Sequence, residues 1–201
     1  MSIMRVEGNT YGVDDLPTCV EFLGNWGLEK IEAGSMGAEF KTLENQTVSL
    51  RLTSDSCLPP TNEKSPTARE VTWGVETNEA LDQLGSELAS DREIAVDDSG
   101  VLHAQDNSGN YFALRLADIK ESHQTEPQMN FHERVSRTNE RHWPSEKVQP
   151  IRIGHIVYSL PEKGNWKAAQ FYIERLNFRL SDRTKDGGTF LRCDGSTFHH
   201  T

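Results

Sequence analysis

Residues 151–193 read IRIGHIVYSLPEKGNWKAAQFYIERLNFRLSDRTKDGGTFLRC, and the pattern of this stretch decides the fold. A mostly apolar, strand-like opening is followed by NWKAAQFYIERLNF at 165–178, whose apolar residues keep helical spacing. Two further strand-like segments, RLSDRT and GGTFLRC, end the unit. The stretch therefore predicts a strand, a helix and then a group of strands.

The same succession occurs twice earlier in the chain. The first copy, at about 1–57, has a strand-like opening, a helix that begins near Pro17 and a hairpin over GAEFKTLENQTVSLRL. The second copy, at 69–118, opens with REVTWGVE, has Thr77 as a suitable helix cap and ends in three strand-like segments. The repeat predicts an α+β fold built from βαβββ modules.

The repeat also predicts the domain organisation. The two complete copies form a paired N-terminal domain at 1–118, a polar connector covers 119–150, and an incomplete third module at 151–201 begins a C-terminal domain. The third copy stops at STFHHT, within what should be a strand. We therefore expect a fragment of a longer protein, with completion by a second copy as the alternative.

Composition and charge exclude several classes of function. The 201 residues contain 21 Lys and Arg against 31 Asp and Glu, a net charge of −10 that disfavours binding to nucleic acids and to anionic membranes. No apolar run is long enough to span a bilayer, and the N-terminus lacks the pattern of a signal peptide. Three scattered cysteines indicate free thiols. These features predict a cytoplasmic protein.

Four segments carry a resemblance to a known family. GHIVYSLP, AAQFYIERLNFRLSDR, GGTFLRCDG and FHHT follow one another as in the vicinal oxygen chelate superfamily. More narrowly, the chain resembles the two-domain type I extradiol ring-cleavage dioxygenases of that superfamily. In such proteins the N-terminal pair of modules is structural, and the C-terminal pair holds a divalent metal through two His and one Glu.

The resemblance implies roles for two histidines. His155 stands where the first metal-binding His is found, and His200 stands where a His outside the metal shell handles substrate protons. The remaining two ligands would belong to a fourth module that these residues do not include. The implied cofactor is Fe(II), alternatively Mn(II), and the implied substrates are a small aromatic diol and dioxygen. Homo-oligomers are frequent in this family, and we expect the 201-residue chain alone to be inactive.

Each of these assignments has a simpler alternative. His155 could be an ordinary strand His bonded to a backbone carbonyl. His199 and His200 adjoin, so on a strand their side chains would point to opposite faces; only one could face a pocket, and the resemblance selects His200. In the N-terminal half, Gly8 and Ala113 stand at positions where metal ligands would be needed. That half is therefore predicted to be a scaffold.

Other groups of residues favour packing or solvation over chemistry. An aromatic set, formed by Tyr158, Phe171 and Tyr172, has the spacing of core residues. The basic residues between His132 and His142 read as a solvated connector. At the level of function, two alternatives to the dioxygenase stay open: a glyoxalase-like isomerase or lyase that needs no dioxygen, and a ligand-binding protein without catalysis.

Overall fold

The computed structural model describes most of the chain, namely residues 3–61, 67–122, 133, 148–160, 165–185 and 187–201. Most of the predicted connector, including the basic residues between His132 and His142, lies outside the described residues.

The first module begins with strand β1 (Ile3–Val13) and helix α1 (Leu16–Trp26), followed by strands β2 (Glu29–Ala33), β3 (Gly37–Lys41) and β4 (Thr47–Leu52). The helix begins where the sequence predicts, because the Asp15 carboxylate accepts a hydrogen bond from the backbone N–H of Thr18 and Pro17 occupies the first turn. It ends at Gly27, whose φ of 106° is a left-handed conformation that favours glycine.

The second module repeats this order. It contains strand β5 (Thr67–Val75), helix α2 (Asn78–Leu88) and strands β6 (Ala95–Val96), β7 (Leu102–Gln105) and β8 (Tyr111–Leu116). Thr77 caps α2, as predicted, by accepting a hydrogen bond from the backbone N–H of Ala80.

The two modules share one eight-stranded sheet with the order β2-β3-β4-β1-β5-β8-β7-β6. Within each module the first and last strands pair in parallel, β1 with β4 and β5 with β8. Between the modules, β1 and β5 pair antiparallel. The predicted α+β fold of repeated βαβββ modules is therefore confirmed in the N-terminal half.

The third module differs from the sequence-based prediction at its first strand. Helix α3 (Asn165–Arg175) and strands β9 (Arg179–Arg183) and β10 (Thr189–Arg192) form, and the two strands make a separate two-stranded sheet. Residues 151–160, however, are not a strand. In the other modules the first strand pairs with the last strand of its own module, and no described segment lies beside 151–160 in this way.

Helix α3 packs on the same face of the large sheet as α2. Phe171 and Tyr172 are buried there against Phe112 and Trp73, and the hydroxyl of Tyr172 donates to the Asp106 carboxylate at 3.0 Å. The prediction that the aromatic set belongs to the core is confirmed, since Tyr158 also packs against this cluster. A second apolar cluster lies under α1.

Two further observations concern the whole described chain. All three cysteines carry free thiols, as predicted. Among the described residues, none of the helices combines the length and apolar character that crossing a membrane requires.

Candidate functional site

The segment that carries His155 is held by a buried side chain of the first module. Gln46 is 1% exposed; its amide oxygen accepts from the backbone N–H of Ile153 at 2.7 Å, and its amide nitrogen donates to the Ile153 carbonyl at 3.2 Å. The same nitrogen donates to the Val6 carbonyl at 2.6 Å. Gln46 therefore joins β1 to the segment before His155, in place of a neighbouring strand.

The segment that carries His200 is folded back onto β10. The backbone N–H of Thr201 donates to the Leu191 carbonyl at 2.9 Å, and the Thr201 hydroxyl accepts from the backbone N–H of Cys193 at 3.3 Å. The backbone N–H of Gly195 donates to the Ile3 carbonyl at 3.2 Å. These bonds attach the end of the chain both to the third module and to β1.

His155 and His200 come together although they are far apart in sequence. Their ring centroids lie 4.7 Å apart. The rings of His199 and His200 both lie against Phe190, with centroid distances of 5.5 Å and 5.3 Å. The prediction that these two adjacent histidines lie on a strand and point to opposite faces is wrong, because residues 196–201 form a bend on β10 instead.

One ring nitrogen of His200 makes no hydrogen bond among the described residues. Nδ1 of His199 lies 3.2 Å from Nδ1 of His200, which leaves Nε2 of His200 without a partner among the hydrogen bonds of the described residues. Partial desolvation, followed by the neighbouring His155 and His199, lowers the pKa of His200 below its ordinary value. The ring is therefore neutral at neutral pH, the form in which an imidazole accepts a proton or binds a metal.

The donor set fits part of a metal site. His155 has an imidazole nitrogen of the kind that suits divalent iron and manganese together with a carboxylate, and the His200 ring lies beside it. Among the described residues, however, no group of three or more His, Cys, Asp or Glu side chains could hold a metal ion. The described residues thus bring two imidazoles together, and a metal site built on them would need donors beyond them.

An apolar cavity of about 530 Å³ opens beside His200. Its walls come from residues 156–160, from one side of α3 and from the β9–β10 hairpin, and Trp73 of β5 also reaches it. Of the two adjacent histidines only His200 lines this cavity. Burial raises the pKa of both Tyr158 and Tyr172, which line it too, so both phenols stay protonated.

Three features of the structure escape sequence reasoning, two of them at the site and one away from it. Gln46 and Trp73 lie in the N-terminal half, which was expected to act only as a scaffold. A third feature is His103 on β7, whose Nδ1 lies 2.9 Å from Glu70 and whose Nε2 lies 3.5 Å from Asp97. For Trp73, alternation along β5 could have indicated the buried face, but no pattern in the sequence connects Gln46 with Ile153.

Comparisons with known proteins place this geometry in a fold class. No protein-family model matches the chain, and no curated protein matches its sequence. Solved structures do match. The Mn(II)-bound glyoxalase of Novosphingobium aromaticivorans has a TM-score of 0.71 at 20% identity, over 99% of this chain and 60% of the other.

Two dioxygenases match over a similar extent. The homoprotocatechuate 2,3-dioxygenase of Arthrobacter globiformis has a TM-score of 0.64 at 15% identity, over 99% of this chain and 58% of its own. A 2,3-dioxygenase of Pseudomonas sp. KL28 has a TM-score of 0.68 at 17% identity, over the whole of this chain and 69% of its own. The chain thus spans less than two thirds of the glyoxalase and of the Arthrobacter enzyme.

These likenesses define the class of fold. The chain has the fold of these glyoxalase and extradiol dioxygenase structures, and the resemblance seen in the sequence is confirmed at the level of the fold. At 13–20% identity they establish the fold and leave the reaction to be argued from the site.

Proposed function

We propose that this chain is part of a metal-dependent extradiol ring-cleavage dioxygenase that acts on a catechol-type substrate, in which His155 is a metal ligand and His200 transfers protons. The observation that carries the proposal is the approach of the two rings to 4.7 Å beside an apolar cavity. The two histidines are separated by 44 intervening positions, and their segments are held by the Gln46 side chain, by the bonds of Thr201 and by backbone bonds to residues 150–151 and 195.

The described residues divide the work between them. His155 would hold Fe(II), or alternatively Mn(II), which when bound supplies open coordination positions for a chelating diol and for dioxygen. Nε2 of His200 lies on the neighbouring ring and would accept a proton from the substrate hydroxyl and return it later. The apolar walls would exclude water around the ring of the substrate.

A glyoxalase-like isomerase is the second candidate, and the TM-score of 0.71 to the Mn(II)-bound glyoxalase supports it. In that case His200 would move a proton between two carbons of the substrate, and dioxygen would not be consumed. The two candidates share the His155 site and differ in their dependence on dioxygen.

Oxygen uptake separates them. The longest form in which the protein is produced is loaded with Fe(II) or Mn(II) under anaerobic conditions. It is then mixed with a panel of catechols, and the consumption of dioxygen is measured with an oxygen electrode. We expect catechol-dependent uptake that His155→Ala abolishes and that His103→Ala, a His away from the site, leaves intact. Metal-dependent turnover of hemithioacetals without uptake would instead support the glyoxalase-like reaction. Absence of both activities in a form of the protein longer than these 201 residues would contradict the proposal of an enzyme.

Three further expectations from the sequence are proposals as well. We expect the active protein to be a homo-oligomer and to act in the cytoplasm, and we expect the 201 residues alone to be inactive because their described part supplies too few metal ligands. Sedimentation of the protein and the activity of the isolated chain test the first and the last of these expectations.

A further inference from the structure

We infer that the cavity beside His200 binds the uncharged, apolar part of a ring-bearing small molecule, and that the indole N–H of Trp73 donates a hydrogen bond to an acceptor on that molecule. The N-terminal half would then contribute directly to recognition. The identity of this molecule as the substrate rests on the proposed function, whereas its binding can be measured without metal or turnover.

The residues that line the cavity favour a ligand without a charge. Its volume of about 530 Å³ suits a small molecule. None of its described lining residues is Asp, Glu, Lys or Arg. A carboxylate or ammonium group inside the cavity would lose its hydration without gaining a charged partner, so the lining selects uncharged ligands.

Three buried polar atoms of the wall lack a hydrogen-bond partner among the described residues, namely Trp73 Nε1 and the hydroxyls of Tyr158 and Thr189, and of these only the indole N–H is solely a donor. Trp73 is 2% exposed, and its Nε1 has no hydrogen-bond acceptor among the described residues. The rings of Tyr172 and Phe178 lie edge-on to the ring of Trp73, at centroid distances of 6.4 Å and 5.1 Å. Buried N–H groups are rarely left unpaired in folded proteins, because the loss of hydration is not compensated. An acceptor on a bound molecule would compensate this one.

Small residues create the space in which the ring would lie. Ala168 and Ala169 are the small buried residues of α3 that line the cavity, and Gly187 and Gly188 line it from the β9–β10 hairpin. A larger side chain at Ala169 would occupy this volume. The cavity can therefore be closed by substitution without removing any polar group.

Three matched naphthalenes test the inference on the metal-free protein in the presence of a chelator. They are 2-acetylnaphthalene, which has a neutral acceptor, naphthalene, which has none, and 2-naphthoate, which is charged. Titrations followed by calorimetry or ligand fluorescence should give saturable binding of the ketone, with an affinity about ten-fold higher than that of the naphthoate.

Substitutions then identify the contacts. Trp73→Phe should weaken ketone binding by about five-fold to ten-fold, from the loss of one hydrogen bond, while naphthalene binding changes less than about two-fold. Ala169→Leu should weaken all three ligands. Trp26→Phe, which alters a Trp that is 59% exposed, is the matched control and should change none of them. Thermal melting checks that each variant is folded. If Trp73→Phe does not fold, Ala169→Leu still tests whether the three ligands bind in this cavity.

Several results would overturn the inference. These are the absence of saturable binding, equal binding of ketone and naphthoate, and a loss on Trp73→Phe that is the same for naphthalene as for the ketone. The results that would contradict the proposed function are different from those that would contradict this inference. Ketone binding without any oxygen uptake would leave the cavity assignment in place, whereas turnover of carboxylated catechols alone would overturn the inference and keep the dioxygenase.

Discussion

The N-terminal pair of modules and the third module have the same succession of elements along the chain. They differ in how the backbone of the first segment of each module is hydrogen-bonded. In the N-terminal half, each first strand pairs with the last strand of its own module, and the result is a continuous sheet. In the third module the corresponding segment, 151–160, has no such strand beside it among the described residues; it is held by the side chain of Gln46 and, at its start, by backbone bonds from residues 43–44 to residues 150–151. The side-chain amide of Gln46 therefore makes two of the backbone-directed hydrogen bonds that a neighbouring strand makes in the other modules.

The histidines of the two regions show the same contrast. In the N-terminal sheet, both ring nitrogens of His103 face carboxylates, those of Glu70 and Asp97. In the third module, His155 and His200 face each other, and His200 also faces a cavity. A His whose nitrogens are both engaged stabilises the fold, whereas a His with a nitrogen free beside a cavity is available for chemistry.

The largest effect is expected at Gln46. Gln46→Ala removes four side-chain hydrogen bonds, one from the Thr42 hydroxyl, one to the Val6 carbonyl and two with the backbone of Ile153, and leaves these buried or part-buried groups without that partner. We expect a loss of about 3 kcal/mol in the free energy of unfolding, measured with urea. The ring signals of His155 should also shift in NMR spectra, because the segment before it is released.

Gln105→Ala is the matched control for this change. Gln105 is exposed, and its amide makes only a long contact of 3.4 Å with the Gly109 carbonyl. Its removal should cost less than about 0.5 kcal/mol. Equal losses at Gln46 and Gln105 would contradict the idea that Gln46 replaces a strand.

An intermediate effect is expected where α3 meets the second module. Tyr172→Phe removes the hydroxyl that donates to Asp106, while that carboxylate keeps its bonds from Ser108 and Asn110. The expected loss is about 1 kcal/mol in the free energy of unfolding. Tyr11→Phe, at a residue that is 37% exposed, should be nearly neutral. A larger loss at Tyr11 than at Tyr172 would show that the Asp106 contact does not hold α3 in place.

Local signals made most of the fold predictable. Pro17 and Gly27 delimit α1, Thr77 caps α2, and alternation indicates the strands of the large sheet. These features act over a few residues, so they can be read from the sequence alone. The first strand of the third module was predicted wrongly, because strand formation depends on a partner and the apolar alternation of 151–160 does not reveal one.

The candidate site was predictable only through the family resemblance. His155 and His200 carry no local pattern that connects them, and their approach depends on long-range bonds made by Gln46 and Thr201. Trp73 could be predicted as buried but not as part of a cavity, because the opposite wall comes from residues 156–160 and from α3. Contacts between distant segments are determined by packing, which the spacing of residues does not encode.

The smallest effect concerns pH and the His of the N-terminal sheet. The hydrogen bond to Glu70, followed by the interaction with Asp97, raises the pKa of His103 above its ordinary value near 6.5. The resulting stabilisation is fully present below that ordinary value and is lost as the pH rises through the folded-state pKa. The side chain is 32% exposed, so the contribution should stay below about 1 kcal/mol.

Unfolding of the wild type and of His103→Gln over roughly pH 5 to pH 9 measures this contribution as the difference between the two proteins. The difference should be largest at the acidic end and should decline as His103 loses its proton. Glu70→Gln removes the principal cause of the raised pKa, so in that background the decline should move to lower pH. A difference that grows with pH would mean that His103 is held as the neutral imidazole, and the contrast with the histidines of the third module would then disappear.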